Sequence, residues 1–487
     1  MDVLIGNDNY YKIVEGKRPG GLQAVPSKLG WVLHGQEENR PTNSPCATVL
    51  TNVYSNELQT DHEFDITEFW NLNHMGIRNH EQADERPLKE ISETLNRLPD
   101  GRLQVALPWR GNEKRLKSNR SESLCRLVPL LQRLKRDLKL ELSYCNQMSE
   151  MLKDGLISDV TDEKVNGLVE FYLPHHPVIR TEKTTSQYRI FFDGSATDRQ
   201  GLSLNRCLDA GVNLNPDLSS VLLRFRTHAV AWSGDVEKAF LQLEVAPQHR
   251  DALRFLWKKD PADPESQVVT YRWNRVPCGL TSSPFLLAGT LRILFNQLRQ
   301  RNQELAEQLD QDFYVDDFIS GADSVDAAKI IIDETTSLLA NSKVLMRKWS
   351  TNSEALDSHL QEKFGTSKQI QNEVNLIPSP IRTKILGVVW DPSSDTFRFN
   401  PNAIMSLVDE QGITLRKRDF LKITAKLFDP LGWISPVILQ FKCMFQSLWL
   451  LEPPPDDAVP NELYIRWSAA MQDLHNLKNL TITRQYF

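Results

Sequence analysis

The sequence predicts an α+β protein, and three observations carry that reading. From about residue 165 to 400, short apolar and β-branched runs are mixed with runs of helical period. Proline, glycine and polar turn residues separate these runs, and no internal repeat underlies them. The chain has 487 residues, 40% apolar and 25% charged, the balance of a folded soluble protein rather than a disordered or fibrous one. At about 150 residues per domain this length suggests roughly two to four domains.

Residues 36–62 read as a linker, with Gln-Glu-Glu-Asn-Arg-Pro and Thr-Asn-Ser-Pro and little periodicity. Leu124, Leu127, Val128, Leu131, Leu134, Leu138, Leu142 and Met148 then recur at helical spacing, with Gly155 as a stop. This predicts one long amphipathic helix whose apolar stripe is core. Its polar face is basic: from Arg102 to Lys139 there are eleven Lys/Arg against three acids, Glu113, Glu122 and Asp137. A solvated helix face and a polyanion-binding surface are both open readings of that run.

Residues 230–235, 241–245, 253–257 and 268–273 read as strands. Residues 282–299 read as a helix, with Ser282 and Ser283 available to cap it and Pro284 suited to its first turn. Residues 313–319 predict a strand, a turn and a strand, 325–340 a helix and 385–390 a strand. Helical segments at 418–427 and 437–451 follow, interrupted by Pro430 and Pro436.

Composition excludes several classes. No stretch reaches the ~18–20 consecutive apolar residues of a membrane span, and the first eight residues lack the basic and apolar regions of a signal peptide. Six scattered cysteines show no metal-ligand spacing, which argues for reduced thiols inside the cell and against a zinc ribbon or disulfide scaffold. The formal net charge of −6 is a weak argument against nucleic-acid binding. Phosphate contacts are local, however, and the basic segment 110–139 can supply them.

Four motifs carry chemistry. In Phe313-Tyr314-Val315-Asp316-Asp317-Phe318-Ile319, two acids fall at the tight turn of a hairpin; alone, such acids are more often structural. In Trp232-Ser233-Gly234-Asp235-Val236, an apolar strand ends on a carboxylate. Together the two elements could hold Mg²⁺, which takes one or two carboxylates plus phosphates and water, and a pair of ions suits phosphoryl displacement. Val276-Pro277-Cys278-Gly279-Leu280 before a helix makes a rigid turn, or an ordinary loop-to-helix junction. Tyr188-Arg189-Ile190-Phe191-Phe192-Asp193, with Lys183 upstream, is a basic strand that could hold a triphosphate or merely face solvent.

In this order and span, the four resemble the polymerase motifs of reverse transcriptases. More closely, the chain resembles the Pol region of BEL/Pao-type LTR retrotransposons, through Phe69-Trp70-Asn71-Leu72, Leu107-Pro108-Trp109, Phe171-Tyr172-Leu173-Pro174-His175-His176-Pro177-Val178, Arg189-Ile190-Phe191-Phe192-Asp193-Gly194-Ser195-Ala196 and Leu427-Phe428-Asp429-Pro430-Leu431-Gly432. The resemblance implies a right-hand polymerase fold of fingers, palm with an antiparallel sheet, and thumb. It implies Asp235, Asp316 and Asp317 as catalytic acids, with Asp235, Asp316 and the Val236 carbonyl holding two Mg²⁺, for which Mn²⁺ could substitute. Lys183, Arg189, Phe240, Cys278 and Gly279 would contact the nucleotide, Phe240 as the ring that blocks a ribose 2′-hydroxyl; Gln is common in the family where Cys278 stands. Either Lys343 or Lys348 would lie near the pyrophosphate. Leu386, Gly387 and Val388, within Leu386-Gly387-Val388-Val389-Trp390, resemble the primer grip.

The ends resemble neighbours in the same polyprotein. Leu4-Ile5-Gly6-Asn7-Asp8 and Leu29-Gly30-Trp31-Val32-Leu33 resemble the closing strands of a retroviral-type aspartic protease, whose Asp-Ser/Thr-Gly triplet does not occur in this sequence. The implied domains are a protease remnant at 1–36, a linker and helical segment at 37–100, fingers and palm at 101–400, and a thumb or connection at 401–487. That last part resembles a Pao retrotransposon peptidase family. The implied partners are an RNA or DNA primer–template, dNTPs and other retrotransposon proteins, in the cytoplasm or a virus-like particle and later the nucleus. A catalytically dead fragment that only binds nucleic acid or partners is the alternative.

Overall fold

A computed structural model describes residues 23–27, 30–34, 85–179, 188–261, 263, 265–365, 383–399, 401, 404, 415–451 and 457–486. The chain forms two compact units, Met1–Ala83 and Asp84–Phe487. In the first, β1 (Gln23–Ser27) pairs antiparallel with β2 (Gly30–His34), with Val25 opposite Val32. Most of the Leu29-Gly30-Trp31-Val32-Leu33 motif therefore falls on a hairpin strand, while residues 4–8, 36–62 and 69–72 lie outside the described residues.

The second unit opens with α1 (Glu85–Thr94), then β3 (Asn96–Arg97) and β4 (Leu103–Val105). The long helix expected after them is two: α2 (Arg120–Arg136) and α3 (Leu138–Lys153). Asp137 breaks it in an extended conformation, and its carboxylate accepts from the Lys139 and Leu140 amides as the N-cap of α3. The break rephases the apolar stripe. Leu127, Leu130 and Leu134, then Leu140, Tyr144 and Met148, are buried, whereas Val128, Leu138 and Leu142 face solvent. Arg133, Lys135 and Arg136 are exposed at the end of α2.

Two further strand groups pack on these helices. One is β5 (Ile157–Asp159) with β10 (Arg254–Lys258) and β11 (Val268–Trp273), in the order β10-β11-β5. The other is the hairpin of β6 (His175–Ile179) and β7 (Tyr188–Phe192). After α4 (Leu204–Cys207) and α5 (Leu218–Arg224) comes β8 (Val230–Val236), buried over most of its length. Residues 241–245 are not the strand expected. A 3₁₀ turn, Ala239–Gln242, precedes a two-residue strand β9 (Glu244–Val245), which runs parallel to β4. Lys238, at φ +48, turns the chain into that 3₁₀ segment.

α6 (Ser283–Arg299) carries its proline in the first turn as expected, but neither serine caps it. The Ser283 hydroxyl donates back to the Pro277 carbonyl at 2.9 Å, which anchors the preceding loop. α7 (Gln303–Asp312) leads into β12 (Phe313–Tyr314) and β13 (Asp317–Ala322), followed by α8 (Val325–Ala340), β14 (Met346–Thr351) and α9 (Glu354–Phe364). The central antiparallel sheet runs β12-β13-β8-β14, and β8, flanked on both sides, is buried from Val230 to Gly234 before Asp235 is partly exposed.

Residues 385–390 are a hairpin rather than one strand: β15 (Thr383–Ile385) and β16 (Val388–Asp391) join through Leu386 and Gly387, at φ +44 and +93. Positive φ at both positions is the two-residue turn that matches strand twist. β17 (Thr396–Arg398) follows. Helices α10 (Lys417–Ala425), α11 (Ser435–Leu450) and α12 (Asn461–His475) share a separate core around Phe420, Phe441 and Trp467. Pro436 lies in the first turn of α11 and so begins that helix instead of interrupting it. No described helix is long and apolar enough to cross a membrane.

The chain then returns. β18 (Thr481–Thr483) pairs with β17 and completes the sheet β15-β16-β17-β18. Arg484, fully buried, pairs with Asp395 at 2.6 Å and donates to the carbonyls of Phe225 (2.6 Å) and Ala229 (3.1 Å). Arg226 in turn donates to the Arg484 carbonyl at 3.0 Å. Arg484→Met should therefore cost about 3–5 kcal/mol, because a carboxylate and two carbonyls lose their donor together. Urea unfolding of the two proteins measures it, and a loss under about 1 kcal/mol would mean that Arg484 is not a structural anchor.

Candidate active site

The sheet register assembles the site. On one side of β8, Asp317 lies opposite Asp235; on the other, Arg347 does. Tyr314 pairs with Asp317, leaving Val315 and Asp316 as the two turn residues between β12 and β13. Val315 sits at φ +57, a costly region for a β-branched residue. Two bonds hold the turn there: the Val315 amide donates to Asn215 Oδ1 at 3.1 Å, and the Val236 amide donates to the Asp316 carbonyl at 2.9 Å. Beneath it, Phe313 stacks on Phe318 at 4.7 Å, and Trp232 meets Phe318 edge-on. The three acids named from sequence are thus brought together on a rigid aromatic base.

Their electrostatics follow from that placement. Burial, then the neighbouring Asp235, raises the Asp316 carboxyl above its ordinary range, with Lys348 and Arg189 opposing. Burial, then Asp316 and Asp235, pushes Asp317 up to about 7. Asp235 forms an ion pair with Lys348, and Glu237 one with Arg347. Sequence left Lys343 and Lys348 as alternatives; it is Lys348 that meets the acids, while Lys343 occupies an exposed turn at φ +58. The donors are all oxygens in a site short of positive charge, which fits a hard divalent cation such as Mg²⁺ or Mn²⁺. Among the described residues there is no group of three or more His, Cys, Asp or Glu able to hold a metal ion by itself. Two carboxylates completed by phosphate and water are the open type of Mg²⁺ site.

The other named residues are distributed around this centre. Arg189 is exposed on β7, and its charge reaches Asp316. Phe240 is half-buried in the 3₁₀ turn and packs against the main core. Cys278 is exposed, and Gly279 at φ +113 runs so close to β7 that a Cβ would stand 1.9 Å from the Phe192 carbonyl oxygen. Only glycine fits there. Asn205, which sequence reasoning missed, ties this loop down: its side chain donates to the Gly279 carbonyl (3.1 Å) and accepts from the Thr281 amide (3.0 Å). Lys183 lies outside the described residues.

Leu386, Gly387 and Val388 belong to the other sheet, with the Gly387 backbone against the Phe428 ring. The Ser350–Thr383 hydroxyl contact at 2.9 Å links β14 to β15. Ile319, Ala231, Val388 and Trp390 share one buried cluster, so the two sheets pack as a unit.

Residues 182–350 match the reverse transcriptase (RNA-dependent DNA polymerase) family, and residues 416–487 match the Pao retrotransposon-like RNaseH-like domain. The second description is RNaseH-like, where the sequence resemblance was to a peptidase family of the same elements. Among solved structures, the chain is similar to a foamy viral protease-reverse transcriptase in complex with an RNA/DNA hybrid, at 13% identity and a TM-score of 0.43. That similarity covers 68% of this chain and 36% of the solved one, so the chain spans about a third of its length. No curated protein matches. The chain carries a reverse transcriptase domain. Together with the Pao retrotransposon-like segment behind it, this match supports a fragment of the Pol region of a Pao-type retrotransposon.

The raised Asp317 sets a pH dependence. Folded, Asp317 keeps its proton up to about pH 7; unfolded, it loses it near its ordinary value of 3.8. Between those values the folded state holds the extra proton, so stability falls as pH rises and levels off above the window. In EDTA, the difference in unfolding free energy between wild type and Asp317→Asn should therefore grow with pH from about 4 to about 7. A pH-independent difference would contradict the assignment.

Proposed function

We propose that the protein is an RNA-directed DNA polymerase that extends a primer 3′-hydroxyl on an RNA or DNA template with dNTPs. The observation that carries this reading is the convergence of Asp235 and Asp317 on adjoining strands, with Asp316 on the turn before β13, within the segment that matches reverse transcriptases. Asp235, Asp316 and the Val236 carbonyl would hold two Mg²⁺, or Mn²⁺ in their place. When bound, these ions would activate the primer hydroxyl and stabilise the charge that develops on the leaving pyrophosphate. Asp317 supports the pair from the first position of β13.

Around that centre, Arg189 on β7 would contact the triphosphate, with Lys183, upstream of it in sequence, as a second such contact, and Lys348 would face the departing phosphates. Cys278 and Gly279 form the loop against which the nucleotide packs. Phe240 lies under the sugar, where its ring would clash with a ribose 2′-hydroxyl, discrimination by exclusion rather than added affinity. Leu386, Gly387 and Val388 hold the primer strand. Arg133, Lys135 and Arg136 offer phosphate contacts to the duplex, which answers the objection from net acidity. Such an enzyme works in the cytoplasm or a virus-like particle before any nuclear step, beside other proteins of the element.

Asp316→Asn tests the reading. It should abolish Mg²⁺-dependent dNTP incorporation on a primed RNA template, a loss of at least about 10²-fold, while leaving primer–template affinity close to wild type and the melting temperature no lower than wild type. Near-full activity of the variant at low Mg²⁺ would overturn the metal assignment. The same assay with ribonucleotides reads Phe240: Phe240→Val should raise rNTP use relative to dNTP, and an unchanged ratio would remove the ring from the sugar site.

A further inference from the structure

β14 contains an irregularity with a chemical consequence. Arg347 pairs with Asp235 and Ser350 with Ser233, so Lys348 and Trp349 together stand against Gly234 alone. Two residues against one is a bulge, a device that re-aims a side chain. Gly234 permits it, because the Trp349 ring lies on that glycine: a Cβ there would stand 2.7 Å from the ring carbon Cζ3. Lys348 consequently adopts φ +55, a left-handed conformation, and its ammonium meets Asp235 Oδ2. The neighbouring cation does not compete, since Arg347 is engaged with Glu237.

In the polymerase reading Asp235 is also one of the two carboxylates that would hold the metal. An ammonium on Asp235 Oδ2 repels a divalent ion approaching the same carboxylate, so the two cations compete for it. We propose that Lys348 is a placeholder cation. It neutralises Asp235 before metal and nucleotide arrive, is displaced when a divalent ion takes the carboxylate, and is thereby released toward the triphosphate. This inference rests on the polymerase reading and adds an order of events to it. The side chain is suited to such exchange: it is 63% exposed, on a flexible stem, and an exposed ion pair of this kind is weak. A carboxylate so held is kept from drawing other cations or collapsing onto its acidic neighbours, while the ion that belongs there can still enter.

The test is Mn²⁺ binding to the full chain without nucleotide, followed by electron paramagnetic resonance of the free ion. Lys348→Met keeps the apolar stem and removes the competitor, so Mn²⁺ affinity should rise by about two- to fivefold, while incorporation at saturating Mn²⁺ falls. Lys348→Arg keeps a cation on Asp235 and should bind Mn²⁺ no more tightly than wild type. Damage to the fold would weaken metal binding, so tighter binding in Lys348→Met is a signature that a merely structural lysine would not give. Unchanged or weaker Mn²⁺ binding in Lys348→Met overturns the placeholder. If wild type extends primers and Asp235→Asn loses the Mn²⁺ site, that result leaves the polymerase reading standing. A wild-type chain that neither binds Mn²⁺ nor extends a primer removes both.

Discussion

The structure depends on the register with which β13 and β14 meet β8. That register puts Asp317 opposite Asp235, leaves Asp316 on the adjoining turn and delivers Lys348 through the bulge. Like charges in a partly desolvated site repel, and the raised Asp316 and Asp317 carboxyls report that repulsion together with burial. The arrangement survives because the strands cannot slip. A one-residue shift of β13 would exchange its two buried faces, taking Phe318 out of the main core and Ile319 out of the cluster it shares with Ala231, Val388 and Trp390. The buried aromatic contacts of Phe313, Trp232 and Phe318 make such a slip costly. Local strain at Val315 is held by the same logic, with Asn215 and Val236 fixing a turn that its own sequence disfavours.

A second consequence of the fold is that the C-terminal segment is part of the frame of the site. Arg484 joins β18 to Asp395 and to the chain just before β8, through the Phe225 and Ala229 carbonyls. Asn352, at the end of β14, donates to the Ala229 carbonyl at 2.8 Å and accepts from the Ala231 amide at 2.9 Å. The hairpin at Leu386 and Gly387 therefore rides on a sheet whose last strand comes from the Pao segment and whose buried face meets the central sheet. The segment matched to an RNaseH-like family and the segment matched to reverse transcriptases are thus joined through the buried guanidiniums of Arg484 and Arg226.

Much of this was legible in the sequence. The acids at 235, 316 and 317 stand out because an apolar strand and an aromatic hairpin have to end somewhere, and both end on carboxylates. Gly279 was marked by its loop, and its backbone approach to Phe192 shows why no side chain is tolerated. What failed had physical reasons. Periodicity sees a helix of Leu124 to Met148 but not the break at Asp137, because a capping carboxylate can end one helix and start the next without disturbing the average spacing. Residues 241–245 alternate like a strand, yet the left-handed Lys238 and a 3₁₀ turn use up most of that run. The choice between Lys343 and Lys348 needed the bulge, and Asn205, Asn215 and Arg484 act across long sequence separations that no local pattern encodes.

The fold holds three carboxylates together against their repulsion, and in the proposed function a divalent metal would relieve it. A ligand that binds only the folded state stabilises it, by about 1.4 kcal/mol at ten times its dissociation constant. The most direct measurement is the melting temperature of the metal-free chain titrated with Mg²⁺ and Mn²⁺, in wild type and in a variant carrying Asp235→Asn and Asp316→Asn. The account predicts a rise that saturates in wild type and is absent from the double variant. No rise in wild type, or an equal rise in both proteins, would contradict it.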